Sequence, residues 1–207
     1  MTFPTFEQSD FDTFAIPGLE ARMEAIVTRV RPKLQLIGDH MSAYLSELTG
    51  DPMYAHVAKH ARRSVNPPND TWVAWSNNRR GYKAHPHFQL GMFGSHLFIQ
   101  FAVIYESANK AVLARHLRRN AKQTLQLVPD RYMWSMDHMR PEGTPHEQLT
   151  AAELKRMADK LETVKKSELL CGVHLPRDAS DVGDAERLRL TTEDVFATLM
   201  PLYRASF

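Results

Sequence analysis

Residues 86–106 read PHFQLGMFGSHLFIQFAVIYE, and their alternation decides the fold. Phe88, Leu90 and Met92 recur at every second position, as do Leu97, Ile99 and Phe101, which is the period of a strand. Gly94-Ser95 lies between the two runs as a two-residue turn, so Phe93 is expected opposite His96. Phe88 then faces Phe101, Leu90 faces Ile99 and Met92 faces Leu97. These six side chains make one apolar face that helices must cover. The opposite face receives His87, Gln89, Gln100 and Glu106, with Gly91 and Phe98. Such a face is solvated, covered by the polar side of a helix, or kept polar for chemistry.

Outward from the hairpin, residues 71–77 are rich in strand formers and residues 53–60 alternate. Before them, apolar residues recur at helical spacing over 18–30 and 33–48, with a short helical lead-in over 9–14. Pro32 lacks a backbone N–H, so a kink or break is expected at Arg31. After the hairpin, residues 109–128 carry a helical stripe of Leu113, Leu117, Ala121, Leu125 and Val128. Residues 131–137 read as a short strand. Thr150-Ala151-Ala152-Glu153 is a capping box that opens a further helix. Residues 168–175 form an apolar strand, 176–189 an acidic loop, and 191–199 the start of a terminal helix. The expected class is α+β: a single domain over 1–207, with a mostly antiparallel sheet of five to six strands packed against several helices.

The 207 residues are 43% hydrophobic and 24% charged, which excludes a disordered chain. A single cysteine, Cys171, excludes an internal disulfide framework and a multi-cysteine zinc site, and its apolar neighbours suit an inert core thiol. No apolar run approaches the roughly 20 residues that span a bilayer. Residues 1–14 contain Glu7, Asp10 and Asp12 but no basic residue, unlike a secretory leader, so a cytoplasmic setting without membrane contact is expected. The net charge of +2 hides a segregation: residues 56–122 hold 11 Lys and Arg against 2 Asp and Glu, and both flanks are acidic. An anionic partner would be drawn to that middle third.

Two basic stretches bracket the strand at 71–77. The first holds Lys59, His60, Arg62, Arg63 and Asn66, stiffened by Pro67-Pro68 and closed by Asp70. The second holds Asn77, Arg80, Tyr82 and Lys83. Guanidinium groups match phosphate geometry with paired N–H donors. The leading reading is a site for a phosphate-bearing ligand, either a nucleotide or a nucleic-acid segment. Arg62, Arg63 and Arg80 would clamp the phosphate, Lys59 and Lys83 would add field, and Trp72 or Tyr82 would stack, with His60, Asn66, Asn77 and Gln89 as further contacts. An alternative is an enzyme acting on an anionic small molecule, with His87 as general acid/base oriented by Glu106 or Asp70. A third is a protein-interaction or scaffold module. His56 with His60, and His85 with His87, do not make up a ligand set, so neither metal nor cofactor is expected. Arg115, Arg118, Arg119 and Lys122 share a helix face near its C-terminal end, which the helix dipole explains.

The chain resembles the YktB-like family of uncharacterised proteins from Bacillus and related bacteria. The likeness runs through Ala58-Lys59-His60-Ala61-Arg62-Arg63, Val65-Asn66-Pro67-Pro68-Asn69-Asp70-Thr71-Trp72-Val73-Ala74, Arg80-Gly81-Tyr82-Lys83 and Pro86-His87-Phe88-Gln89. It continues through Phe101-Ala102-Val103-Ile104-Tyr105-Glu106, Thr163-Val164-Lys165-Lys166 and Leu169-Leu170-Cys171-Gly172. It implies an α+β domain in a cytosolic setting. It transfers no catalytic residue, and His85 and Gln100 fall outside its pattern.

Overall fold

In a computed structural model, which describes residues 2–207, the chain opens with helix α1 (Gln8–Asp12) and a 3-10 turn (Thr13–Ala15). Helix α2 (Leu19–Ala25) then runs through a π-helical turn (Ile26–Val30) into α3 (Arg31–Thr49). Pro32 therefore does not break the helix as expected. It sits in the first turn of α3, where its missing N–H is tolerated, and the widened π turn before it absorbs the mismatch. Gly50 ends α3 in the left-handed region, at φ 84°, which suits a residue without a side chain.

The strands are β1 (Tyr54–Val57), β2 (Asp70–Ser76), β3 (His87–Phe93) and β4 (His96–Val103), then β5 (Met133–Ser135), β6 (Thr144–Pro145) and β7 (Leu169–Pro176). Helix α4 (Lys110–Leu127) follows β4, α5 (Ala151–Thr163) precedes β7, and α6 (Ala185–Arg204) ends the chain. All seven strands form one sheet in the order β1-β2-β3-β4-β7-β5-β6, with every pair antiparallel. The architecture is α+β as expected. The strand count exceeds five to six because β6 is a two-residue bridge, too short to leave a periodic signal.

The hairpin register is the one the alternation dictates: Phe88 opposes Phe101, Leu90 opposes Ile99, and Met92 opposes Leu97. All six are fully buried. Helices α3 and α6 cover this face. Phe88 lies 4.9 Å from Phe196 and 5.1 Å from Tyr203, ring centroid to centroid. Trp75 sends its indole N–H to the Gly38 carbonyl of α3 at 2.9 Å, so even this polar atom is satisfied in the core. The acidic stretch before α6 is partly helical rather than loop: Asp184 caps the helix by accepting from the Glu186 and Arg187 N–H groups, and Leu188 is buried. Among the described residues no helix is long and apolar enough to cross a membrane.

Candidate functional site

The second face of the sheet is polar, and it is not left to solvent. Register places His56, Ala74, Gln89, Gln100 and Gly172 in one row across it, and Trp72, Gly91, Phe98 and His174 in the next. Gly91 is required there: a Cβ would lie 2.4 Å from the Phe98 ring and 2.5 Å from Trp72 Cβ. Loops 58–69, 77–86 and 136–143 fold back over these rows as a roof. Gln89 and Gln100 are consequently buried, at 4% and 8% exposure.

Burial of so many polar atoms demands partners, and a chain of hydrogen bonds supplies them. His87 donates from Nδ1 to the His85 carbonyl at 2.8 Å, which fixes its tautomer. Its Nε2 accepts from the Gln89 amide at 3.0 Å, and the Gln89 carbonyl accepts from Gln100 at 2.9 Å. His87 is wholly buried, and burial pulls its pKa down to about 3. With both ring nitrogens occupied it is a neutral framework group, which corrects the expectation of His87 as general acid/base. Glu106 does not orient it either: that carboxylate is exposed beyond the end of β4 and pairs with Lys83 at 3.4 Å.

The two basic stretches meet at Trp72. From loop 58–69, His60 packs edge-on against the Trp72 ring at 5.6 Å and shares a 3.2 Å hydrogen bond with the Thr71 hydroxyl. His60 holds φ at 51°, a left-handed backbone that turns the loop back over the sheet at some cost in strain. From loop 77–86, the Tyr82 hydroxyl accepts the Trp72 indole N–H at 2.9 Å. Tyr82 is buried against Ala74, Ala102 and Leu170, and its ring lies 4.8 Å from His87. Lys59, Arg62, Asn66, Asn77 and Arg80 are exposed on the roof, and Arg63 is half-buried. Arg63 caps the Asn66 carbonyl, and its charge acts on both His60 and Asp70. The charge of Arg62 acts on Tyr105.

Asp70 is 3% exposed at the start of β2. Burial raises its pKa to about 6, against the opposing charges of His138 and Arg63. His138 was not foreseen. It lies in loop 136–143 with its ring 6.4 Å from Trp72. Its Nδ1 donates to Glu168 Oε2 at 2.7 Å, and its backbone N–H donates to the same oxygen at 2.9 Å. Burial lowers the His138 pKa, but the hydrogen bond and charge of Glu168, with Asp70 and Asp137, more than offset this and raise it. Glu168 itself is 2% exposed, just before β7. No spacing motif could have joined residues so far apart in sequence; the only sequence signal was an acidic residue opening an apolar strand.

His138 and Glu168 line a cavity of about 750 Å3 between loop 136–143, α5 and the start of β7. Tyr105 also lines it, so it adjoins the roof near Arg62. Asp137, His138 and Glu168 bring one candidate ligand atom each within 4.8 Å of one another. The Glu168 oxygens are already engaged by the His138 N–H groups and the Tyr105 N–H, so the arrangement reads as an oriented imidazole rather than a metal centre.

With this geometry in place, comparison with known proteins gives a consistent kinship. Residues 6–203 match the family described as "Domain of unknown function (DUF1054)". A UPF0637 protein of Bacillus cytotoxicus is 46% identical over 203 residues, covering 98% of each chain. A UPF0637 protein of Bacillus velezensis is 47% identical over 204 residues, covering 98% of this chain and 97% of its own. The kinship with an uncharacterised Bacillus family, expected from the sequence segments, is thereby borne out.

Proposed function

The chain belongs to the DUF1054 family, and we propose that its roofed sheet face binds a small phosphate-bearing ligand through the cations of loops 58–69 and 77–86. One observation carries this reading. Loops 58–69 and 77–86 together hold six Lys and Arg and no Asp or Glu, and the two loops meet over Trp72. On the roof, Lys59, Arg62, Arg63, Arg79 and Arg80 enter no salt bridge among the described residues. Unmatched cations above an aromatic floor favour an anion that carries a stackable group. Trp72 is the stacking surface, half-buried between the two loops.

Calorimetric titration with inorganic phosphate, pyrophosphate, a mononucleotide and a short oligonucleotide tests the proposal. A ligand that prefers the native state also raises the thermal midpoint. Arg62→Ala with Arg63→Ala is expected to weaken binding about tenfold or more while leaving the ligand-free midpoint in place. A steep loss of affinity with salt would mark a nucleic-acid segment, through counterion release. Absence of binding by all four probes, or unchanged binding by the double variant, would sink the reading.

A further inference from the structure

We propose that His138, held by Glu168 at the edge of the 750 Å3 cavity, is the general acid–base of this site, and that the protein hydrolyses a phosphate ester there. The inference rests on the phosphate reading above and assigns it a reaction. Three observations converge on it. The Glu168 carboxylate takes both the ring Nδ1–H and the backbone N–H of His138, which locks the imidazole in one tautomer and one direction. That leaves Nε2 as the working nitrogen, on a residue that lines the cavity. The same cavity is lined by Arg140, Lys160 and Lys166, which make no salt bridge among the described residues, and by Tyr105, on which the Arg62 charge acts. An ester phosphate in the cavity would thus lie beside the cations of Arg140, Lys160 and Lys166.

The reaction needs only water. Nε2 removes a proton from the water whose oxygen bonds to phosphorus. The ester P–O bond breaks, its electron pair goes to the leaving oxygen, and that oxygen takes the proton back from Nε2. The products are an alcohol and a phosphate, and the imidazole is regenerated. Glu168 is a positioning residue that also stabilises the transient imidazolium. The charged and titratable groups acting on the ring are Glu168, Asp70 and Asp137, all of which favour its charged form, and His87, which stays neutral. The rate is therefore expected to rise with pH along a limb above the ordinary imidazole value of about 6.5.

The test follows hydrolysis of p-nitrophenyl phosphate and bis(p-nitrophenyl) phosphate by the full chain from pH 5 to 9. Parallel calorimetry measures inorganic phosphate binding. Turnover of either ester by the wild type is expected, with a loss of about a hundredfold or more in His138→Gln. Glu168→Gln is expected to move the pH limb downward, which a purely structural role would not do. Melting curves confirm that each variant is folded. Undiminished turnover in a folded His138→Gln, or no turnover of either ester by a wild type that still binds phosphate, overturns this inference alone. A wild type that binds none of inorganic phosphate, pyrophosphate, mononucleotide and oligonucleotide overturns the parent reading instead.

Discussion

The two faces of one sheet obey different rules. Beneath α3 and α6, Phe88, Leu90, Ile99 and Phe101 are held by shape and by exclusion of water, and the Tyr203 phenol stacked on Phe88 stays neutral, its pKa pushed up by burial to about 12. Beneath the loops, His87, Gln89, Gln100 and Asp70 are buried too, but they are held by directional bonds and charge. Close packing makes the first face stable against pH and intolerant of lost volume. The second face is sensitive to protons as well as to shape at Gly91. The difference teaches where evolution of a ligand site has room: on strands already fixed by the opposite side.

The largest effect expected of a single substitution lies on the helix-covered face. Phe88→Ala opens a cavity against Phe196 and Tyr203 and should cost about 4 kcal/mol in denaturant unfolding. Acid separates the faces next. His60, His87, His96 and His174 have pKa values lowered by burial to about 4, 3, 4 and 3. A depressed imidazole pKa means that the unfolded chain binds protons first, so stability is full above about 6.5 and falls as pH drops below it. The expected loss is roughly 1 kcal/mol per imidazole by pH 5.5. Unfolding curves at pH 7.5 and 5.5 check this, and equal stability at both would break the contrast.

Gln89→Leu should cost about 2 kcal/mol, because it strands the Gln100 amide and His87 Nε2; adding Gln100→Leu should recover part of that loss. Asp70→Asn should act in the opposite sense, raising stability by about 2 kcal/mol at pH 8. The native carboxyl, with its pKa near 6, is penalised as an anion there. The gain should shrink as pH falls through about 6 and vanish below about pH 3, where the carboxyl is protonated in both the native and the unfolded chain. Smallest is Arg80→Ala, expected within about 0.5 kcal/mol of wild type, since its side chain is exposed and enters no salt bridge.

These contrasts also explain what the sequence could reveal. The helix-covered face was legible because alternation at period 2 and the Gly94-Ser95 turn determine register locally. The capping box at Thr150 and Glu153 was legible for the same reason: its four residues satisfy one another, as the Glu153 N–H to Thr150 hydroxyl bond at 3.2 Å shows. On the polar face, sequence pointed to the basic loops but could not show how His87 is bonded. His87 looked reactive beside Glu106, and only the Gln89 amide reveals that its second nitrogen is spent. His138 and Glu168 escaped notice because their bond joins a loop to a distant strand start, and no local pattern encodes such a meeting. Pro32 misled in a different way. A missing N–H permits more than one remedy, and the chain took a widened turn over Ile26–Val30 rather than a break.

Arg22 gives the roof a further property. This guanidinium, buried in α2, donates to the Ile16 carbonyl at 2.8 Å, to the Pro68 carbonyl at 2.9 Å and to Asn69 Oδ1 at 3.2 Å. It rivets the start of the chain to the base of loop 58–69, one residue before the aspartate that opens β2. The N-terminal segment is thereby braced against the base of the cationic loop, and removing the Arg22 guanidinium would take away two of the bonds that hold that base.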